Sequence, residues 1–398
     1  MFSGAVARVE GDGADGIAEV ADAGGRALAR GAYSPDSQIV ARLWTFDGRT
    51  PDDALFRERF ESAARLRREV ISPETTGYRA VNSEGDRCPG VLLDVYGDTA
   101  VLELTTAGTE TWRAELEAAA REVFAPRELI VRESGADRDR GTRRPSPQPS
   151  PPGRGSSRGA PSQEFSSPPS GGRGQGEGGE GILVPFLENG LRFLADAGSG
   201  QKTGFFLDQR ENRARLRALS GGRRVLNLFS YSGAFSVAAL AGGAARAVDV
   251  DSSGAALALA RRHRVENAFP ADDSDFVEAD VFEDLRHRAQ AREGWDIVVC
   301  DPPAFAKKKS DVDRAARGYK DVNRLAMTLV SPGGWLLTCS CSGLVDADLF
   351  QKIVFSASLE ARASFSLVGR QGAGPDHPVS LDCPEGEYLK GLWMRRAS

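Results

Sequence analysis

Trp295-Asp-Ile-Val-Val-Cys-Asp-Pro-Pro-Ala-Phe305 and Gly334-Trp-Leu-Leu-Thr-Cys-Ser-Cys-Ser-Gly343 are built alike. Each is a short apolar run that stops abruptly at a chemically active residue, the pattern of a buried strand and its carboxyl end. The first delivers a carboxylate at Asp301; the second delivers a thiol at Cys339 or Cys341. Open α/β sheets bind ligands in the crevice beyond such ends. The two stretches together predict a sheet with an acid and a candidate nucleophile at one edge.

Working outward, strands and helices alternate from residue 199 to the end of the chain. Arg224–Phe229 reads as a strand, Ala234–Ala241 as a helix, Ala245–Val250 as a strand and Gly254–Val265 as a helix. Phe276–Ala279 is a third strand, ending at Asp280, and Tyr319–Leu329 is a helix between the two opening stretches. This alternation predicts an α/β, Rossmann-like domain: a mostly parallel sheet covered by helices on both faces. Ser364–Val368 and Glu387–Trp393 add an antiparallel C-terminal edge.

Upstream the grammar changes. Residues 78–198 read as a small α+β middle domain, with strand-like runs between Tyr78 and Thr106, a helix over Thr111–Phe124 and a strand at Leu129–Arg132. It closes with a hairpin whose tight turn is Glu188-Asn-Gly190. Residues 137–181 interrupt this domain with Pro-, Ser-, Gly- and Arg-rich sequence, which cannot bury enough apolar surface to offset its ordering entropy and is expected to be a disordered insertion. Residues 51–77 predict a linker helix with Leu55, Phe56, Phe60, Ala63, Leu66 and Val70 on one side and Arg57, Arg59, Arg65, Arg67 and Arg68 largely elsewhere. In residues 1–50, runs at Gly4–Val9, Gly16–Val20, Arg26–Arg30 and Gln38–Trp44 suggest the short strands of a small barrel.

Composition narrows the function. A formal charge of -5 gives the whole molecule no attraction for nucleic acid, so any such binding needs a local basic face. Lys307–Lys309, Arg314, Arg317, Lys320 and Arg324 form the nearest cluster to Asp301. The five cysteines show no paired spacing, and His263, His287 and His377 are not grouped with them as metal ligands, so free thiols in a cytoplasmic protein without a metal are expected. No run is long and apolar enough for a membrane span. The sequence sets no oligomeric state; a homodimer is one option.

Several strand ends converge on one crevice. Phe229-Ser-Tyr-Ser-Gly-Ala-Phe235 is a small-residue turn into a helix with a single glycine, Gly233, where a pyrophosphate-binding fingerprint has three. Asp251 stands where a carboxylate grips ribose hydroxyls, and Asp280 where one can accept from an adenine amino group. Either aspartate alone is equally readable as a helix N-cap, Asp251 before Ser252-Ser253 in particular. A nucleoside cofactor with ribose and adenine but no pyrophosphate is S-adenosylmethionine.

Gly200-Gln-Lys-Thr-Gly-Phe-Phe-Leu-Asp-Gln-Arg210, Asn227-Leu-Phe-Ser-Tyr-Ser-Gly-Ala-Phe235, Asp301-Pro-Pro-Ala-Phe305, Gly318-Tyr-Lys-Asp-Val-Asn323, Ser340-Cys-Ser-Gly343 and Pro384-Glu-Gly-Glu-Tyr-Leu-Lys-Gly391 resemble, in combination, the large-subunit ribosomal RNA cytosine-C5 methyltransferase I family. The resemblance implies an N-terminal PUA domain, a middle α+β domain and a class I methyltransferase domain. It implies that Asp208, Gln209 and Arg210 line the methionine end of the cofactor or its lid. Asn227, Phe229, Ser230, Tyr231, Gly233, Asp251, Asp280, Asp301 and Pro302 are the other candidate cofactor-binding residues. Two departures stand out: Met1-Phe-Ser-Gly-Ala matches the interior of the family's PUA domain, as if its first strand were absent, and the Pro/Ser/Gly segment is extra.

Carbon 5 of cytosine is too poor a nucleophile to take a methyl group unaided. A thiolate that adds to carbon 6 makes it an enamine, and an acid at N3 steadies the developing charge. Cys339 and Cys341 lie two apart, so strand periodicity puts them on one face and does not choose between them. The resemblance selects Cys341 as nucleophile, with Asp301 as the acid and Pro302-Pro303 stiffening its backbone. Cys300 reads as a small core residue. The expected partner is large-subunit ribosomal RNA, naked or in an assembling particle. The alternatives are a methyltransferase of the same fold acting on a guanine nitrogen, which needs no thiol, and an RNA-binding assembly protein without catalysis.

Overall fold

In the computed structural model, residues 1, 3–11, 16–132, 181–198, 203–306 and 308–398 are described. The proposed insertion lies, apart from its last residue, outside them. The N-terminal strands are β1 (Ile17–Ala21), β2 (Ala27–Tyr33) and β3 (Ala41–Thr45), an antiparallel meander. The run Gly4–Val9 is not a strand: Ser3–Ala5 form a 3-10 turn, and Ser3 N–H bonds the Gln38 carbonyl instead of entering a ladder. Alternation in small residues is a weak signal where no facing strand rewards it.

Helix α1 (Asp53–Val70) starts where Pro51-Asp-Asp predicts, with Asp52 capping the Leu55 N–H at 2.8 Å. Strands β4 (Gly77–Asn82), β5 (Val91–Tyr96) and β6 (Thr99–Leu104), helices α2 (Ala107–Glu110) and α3 (Arg113–Phe124), and β7 (Glu128–Arg132) follow. They make a sheet of order β4-β5-β6-β7 whose last pair is parallel. Leu55, Phe56, Phe60 and Ala63 of α1 share one core with this sheet and α3, and Trp44 of β3 packs edge-on against Phe56 and Trp112. The basic helix is thus a packed layer of the middle domain. Arg67, grouped in the sequence with exposed charges, is buried in a bidentate pair with Asp86.

Strands β8 (Leu183–Glu188) and β9 (Leu191–Asp196) form a separate hairpin, turned by Asn189 and Gly190 at φ of 50° and 78°. Phe186 and Phe193 pack with Tyr96 of β5 on one side and with Phe205, Ala234 and Val237 on the other. The hairpin is therefore the wedge between middle and C-terminal domains. His263 locks it: its Nδ1–H donates to the Ser232 carbonyl and its Nε2 accepts from the Leu194 N–H.

The C-terminal domain comprises α4 (Arg210–Leu219), β10 (Arg224–Leu228), α5 (Ala234–Ala241), β11 (Arg246–Asp251), α6 (Gly254–Glu266), β12 (Phe276–Glu278), α7 (Val281–Gln290), β13 (Trp295–Cys300), α8 (Val312–Leu329), β14 (Val330–Ser340), α9 (Ala347–Ala361), β15 (Phe365–Gln371) and β16 (Lys390–Arg396). The strand order is β12-β11-β10-β13-β14-β16-β15, parallel except for β16. On β13, Ile297 and Val299 face one apolar layer while Val298 and Cys300 face the other, which is why the strand is apolar throughout. Order reverses between β10 and β13, so the crevice opens beyond Leu228 and Cys300. The expected antiparallel C-terminal edge is the pair β16 and β15: β16 runs against both of its neighbours and β15 is the outermost strand.

Candidate active site

Asp301 follows the last residue of β13 and is held by a chain of hydrogen bonds. Gln209 Nε2 donates to Asp301 Oδ2 (2.9 Å), Asn212 Nδ2 donates to Gln209 Oε1 (2.7 Å), and Trp393 Nε1 donates to Asn212 Oδ1 (2.8 Å). The direction is set from the far end, because an indole N–H can only donate. It forces both amides into one orientation, and the last donor is aimed at the carboxylate. Gln209, Asn212 and Trp393 are all buried. Asn212 and Trp393 were not among the sequence candidates. Their only advance signal is the i,i+3 spacing of Gln209 and Asn212.

The thiols separate by position. Strand β14 ends at Ser340, so strand periodicity does not reach Cys341, which sits half-buried on the turn beyond. Cys339 is fully buried in the layer of Leu337 and Trp393, and burial, with the Asp301 charge, pushes its thiol well up. Cys300 is likewise buried under Asp301 and pushed up by burial and the Asp301 charge. Cys341 Sγ lies 4.0 Å from the Pro302 carbonyl oxygen.

Ser342 ties the two strand ends together. Its Oγ accepts from the Ala306 N–H (3.3 Å) and lies 2.9 Å from the Tyr319 hydroxyl, and its carbonyl accepts from Lys390 Nζ (2.7 Å). Tyr319 and Lys390 belong to the Gly318–Asn323 and Pro384–Gly391 motifs. The acid loop and the thiol turn are thus mutually fixed.

Most of the candidate cofactor residues gather on the turn after β10 and the strand ends beside it. Phe229, Tyr231 and Gly233 all have positive φ (56°, 47° and 69°), an alternation that costs the two non-glycines about 1–2 kcal/mol each. Asp251 pins the turn by accepting from Tyr231 N–H (2.8 Å) and from Ser253 N–H (2.9 Å). The N-cap of α6 is Ser253, not Asp251; the capping role falls to Asp280, which caps α7 through Glu283 N–H at 3.1 Å. A Cβ on Gly233 would come within 2.7 Å of the Ala260 Cβ, so this glycine serves close approach of α5 and α6.

Asn227 donates to buried Asp249 (2.8 Å), which also accepts from Ser236 and Arg264. Burial raises the Asp249 carboxyl, partly offset by Arg264. Asn227 Oδ1, inside β10, and Ser230 Oγ, on the turn after it, are buried without a protein hydrogen-bond partner, and such atoms call for an explanation, a ligand among them. Asp251, these two atoms and a turn with a single glycine fit a nucleoside and suit no pyrophosphate.

The run 208–210 divides three ways. Asp208 Oδ2 accepts from the Tyr388 hydroxyl (2.5 Å), Gln209 reaches Asp301, and Arg210 Nη2 donates to Asp376 (2.6 Å) and to the Gly77 carbonyl (3.2 Å). The resemblance implied that all three line the methionine end of the cofactor or its lid; in this structure the Arg210 guanidinium bridges α4 to β4 and to Asp376. Asp376 also accepts from Arg79 N–H, and its carbonyl from Arg67. Burial pushes the Asp376 carboxyl up, but His377 and Arg210 outweigh it and hold it well below the usual range. The basic cluster of α8 is largely paired: Arg314 with Asp311, Lys320 with Glu360, Arg324 with Asp321. Lys307 lies outside the described residues. Among the described residues, no group of three or more His, Cys, Asp or Glu could hold a metal ion, and no helix is long and apolar enough to cross a membrane.

Comparison with known proteins places this geometry. Residues 176–395 match the model of an S-adenosylmethionine-dependent methyltransferase family, and residues 1–46 match a PUA-like domain. Ribosomal RNA large subunit methyltransferase I of Serratia proteamaculans is 40% identical over 99% of this chain and 94% of its own length. The protein of the same name from Escherichia coli O9:H4 is 39% identical over 99% and 94%. Among solved structures, a methyltransferase from Streptococcus mutans superposes with a TM-score of 0.74 at 23% identity, over 95% of this chain and 91% of that one. SMU.776, solved with SAH, gives 0.75 at 23%, over 96% and 91%. These two share the fold. With relatives matched almost end to end at about 40% identity and a methyltransferase family model over more than half of its length, the chain belongs to the ribosomal RNA large subunit methyltransferase I family of S-adenosylmethionine-dependent methyltransferases.

Proposed function

We propose that this enzyme methylates carbon 5 of a cytosine in large-subunit ribosomal RNA through a covalent adduct of Cys341 with carbon 6. The observation that carries it is the pairing of a half-buried thiol with an oriented carboxylate, Cys341 against the Pro302 carbonyl and Asp301 under Gln209. The names of the relatives supply the RNA, and a flipped-out or unpaired base is the form that reaches such a crevice.

In this reading the Cys341 thiolate adds to carbon 6 and the electron pair of the 5,6 double bond shifts onto carbon 5. Asp301, a carboxylate in the free enzyme, takes up a proton from solvent as the base binds and donates it in a hydrogen bond to N3, where charge accumulates, and Gln209 keeps that carboxyl from turning away. S-adenosylmethionine supplies the methyl group that carbon 5 takes up. A base then takes the carbon 5 proton, the electron pair of that C–H bond restores the 5,6 double bond, and Cys341 leaves carbon 6 as the thiolate. Asp251, Ser230 and Asn227 would hold the nucleoside part of the cofactor, and Asp280 its adenine edge. A ribosomal substrate, naked or in an assembling particle, places the enzyme in the cytoplasm.

The test is methyl transfer from labelled S-adenosylmethionine to unmodified large-subunit ribosomal RNA, with digestion and identification of the labelled nucleoside. Labelled 5-methylcytidine, lost in Cys341→Ala, is expected. A labelled guanosine would show nitrogen methylation at the Asp-Pro-Pro-Ala-Phe strand end and return Cys341 to a structural role.

A further inference from the structure

Lys390 opens β16 and pairs in register with Ser340, the last residue of β14, so its side chain emerges beside the turn that carries Cys341. The ammonium does not extend into solvent as a surface lysine does. It is half-buried and donates to the Ser342 carbonyl at 2.7 Å, one residue past Cys341. Burial lowers its proton affinity, while the Cys341 thiolate, Asp346 and Glu387 pull the other way. Cys341 therefore lies within the electrostatic reach of this cation. Tyr319 faces the same thiol from α8 as a neutral phenol, raised by burial, and Cys339 lies beneath it as a neutral thiol. Neither neighbour neutralises a sulfur anion, and the Asp301 carboxylate, whose charge raises Cys300 and Cys339, works against one, so the Lys390 ammonium is the countercharge. A lysine next to a cysteine lowers the thiol's proton affinity, and thiolate is the form that attacks.

We propose that Lys390 is a positioning residue for methyl transfer: its ammonium, anchored on the Ser342 carbonyl, fixes the turn bearing Cys341 and holds that side chain as the thiolate. The proposal rests on Cys341 being the nucleophile. The thiol proton leaves to solvent and the ammonium keeps its own. When sulfur bonds carbon 6 the anion is used up, and when sulfur is expelled the ammonium receives it again. No oxidation state changes.

A lysine that merely stapled the loop would leave the titration of Cys341 where it was, and this separates the two roles. The experiment is alkylation by iodoacetamide across neutral and alkaline pH on the full chain, quantified at Cys341 by peptide mass spectrometry. Cys383, half-buried beside Glu84 and Glu385, is the reference thiol in the same digest. In the parent protein the Cys341 midpoint should lie below the ordinary value of about 8.5. In Lys390→Met it should rise by about one pH unit, slowing alkylation at neutral pH about tenfold, with Cys383 unmoved. Lys390→Arg, which keeps the charge, should restore it. A parent midpoint at or above the ordinary value overturns the proposal without any variant, and so does a folded Lys390→Met that titrates like the parent. Methyl transfer by Cys341→Ala is read separately: retained turnover sinks the nucleophile reading, whereas loss of turnover with an unmoved Cys341 midpoint in Lys390→Met sinks only the role of Lys390.

Discussion

Gln209 and Asp301 are 92 residues apart in the chain and 2.9 Å apart in space, and the bond between them is the last of three that begin at the indole of Trp393. The carboxylate at the end of β13 is therefore aimed by a strand that lies two places away in the sheet.

Cutting this chain should cost turnover more than binding. Trp393→Phe, which removes the first donor of the chain, should lower single-turnover methyl transfer by about 100-fold, the usual effect of misplacing a reacting group. Calorimetry should show S-adenosylmethionine affinity nearly unchanged, because Asp251 and the Phe229–Gly233 turn are untouched.

Cys339 and Cys341 should respond oppositely to the same substitution. Cys341→Ala is expected to abolish methyl transfer with no loss of thermal stability, since its side chain is half-exposed. Cys339→Ala is expected to keep turnover and lose about 1 kcal/mol in denaturant melts, as a small buried group leaves a small cavity.

Asp376 joins Arg210 to the backbone of β4 in a fully buried setting. Asp376→Ala should destabilise the protein by about 3 kcal/mol, because it leaves the buried Arg210 guanidinium without its hydrogen-bonded carboxylate and with only the looser contact to Glu188 at 3.8 Å. Chemical denaturation would measure this, and loss of a single cooperative transition would show the two domains separating.

Stability should fall on mild acidification through His263. Burial holds this histidine at about 4 against an ordinary 6.5. The unfolded chain therefore binds the extra proton first: the contribution is complete above 6.5 and is lost as pH drops toward 4, up to about 3 kcal/mol. His263→Gln should flatten that part of the stability profile, and denaturant midpoints at a series of pH values would show it.

What was legible in the sequence was whatever is periodic or local. Apolar runs and their spacing marked the strands of the C-terminal sheet, since a strand buried on both faces must be apolar throughout. Asn189-Gly190 announced its hairpin, since few other pairs tolerate two positive φ values. Asp301 was visible because it ends such a run. By contrast, Tyr319–Leu329 turned out to be only the buried part of α8, whose first turns from Val312 are largely solvent-facing and so carry little apolar signal.

Tertiary structure alone decided the rest. That Arg67 is buried, that Gln209 serves Asp301 while its neighbours serve Tyr388 and Asp376, and that the strand stops one residue before Cys341 all depend on which elements meet across long separations. Periodicity tells a side chain which face it takes. The partner it finds there is set by sheet order and register, which sum over the whole chain and are written at no single position.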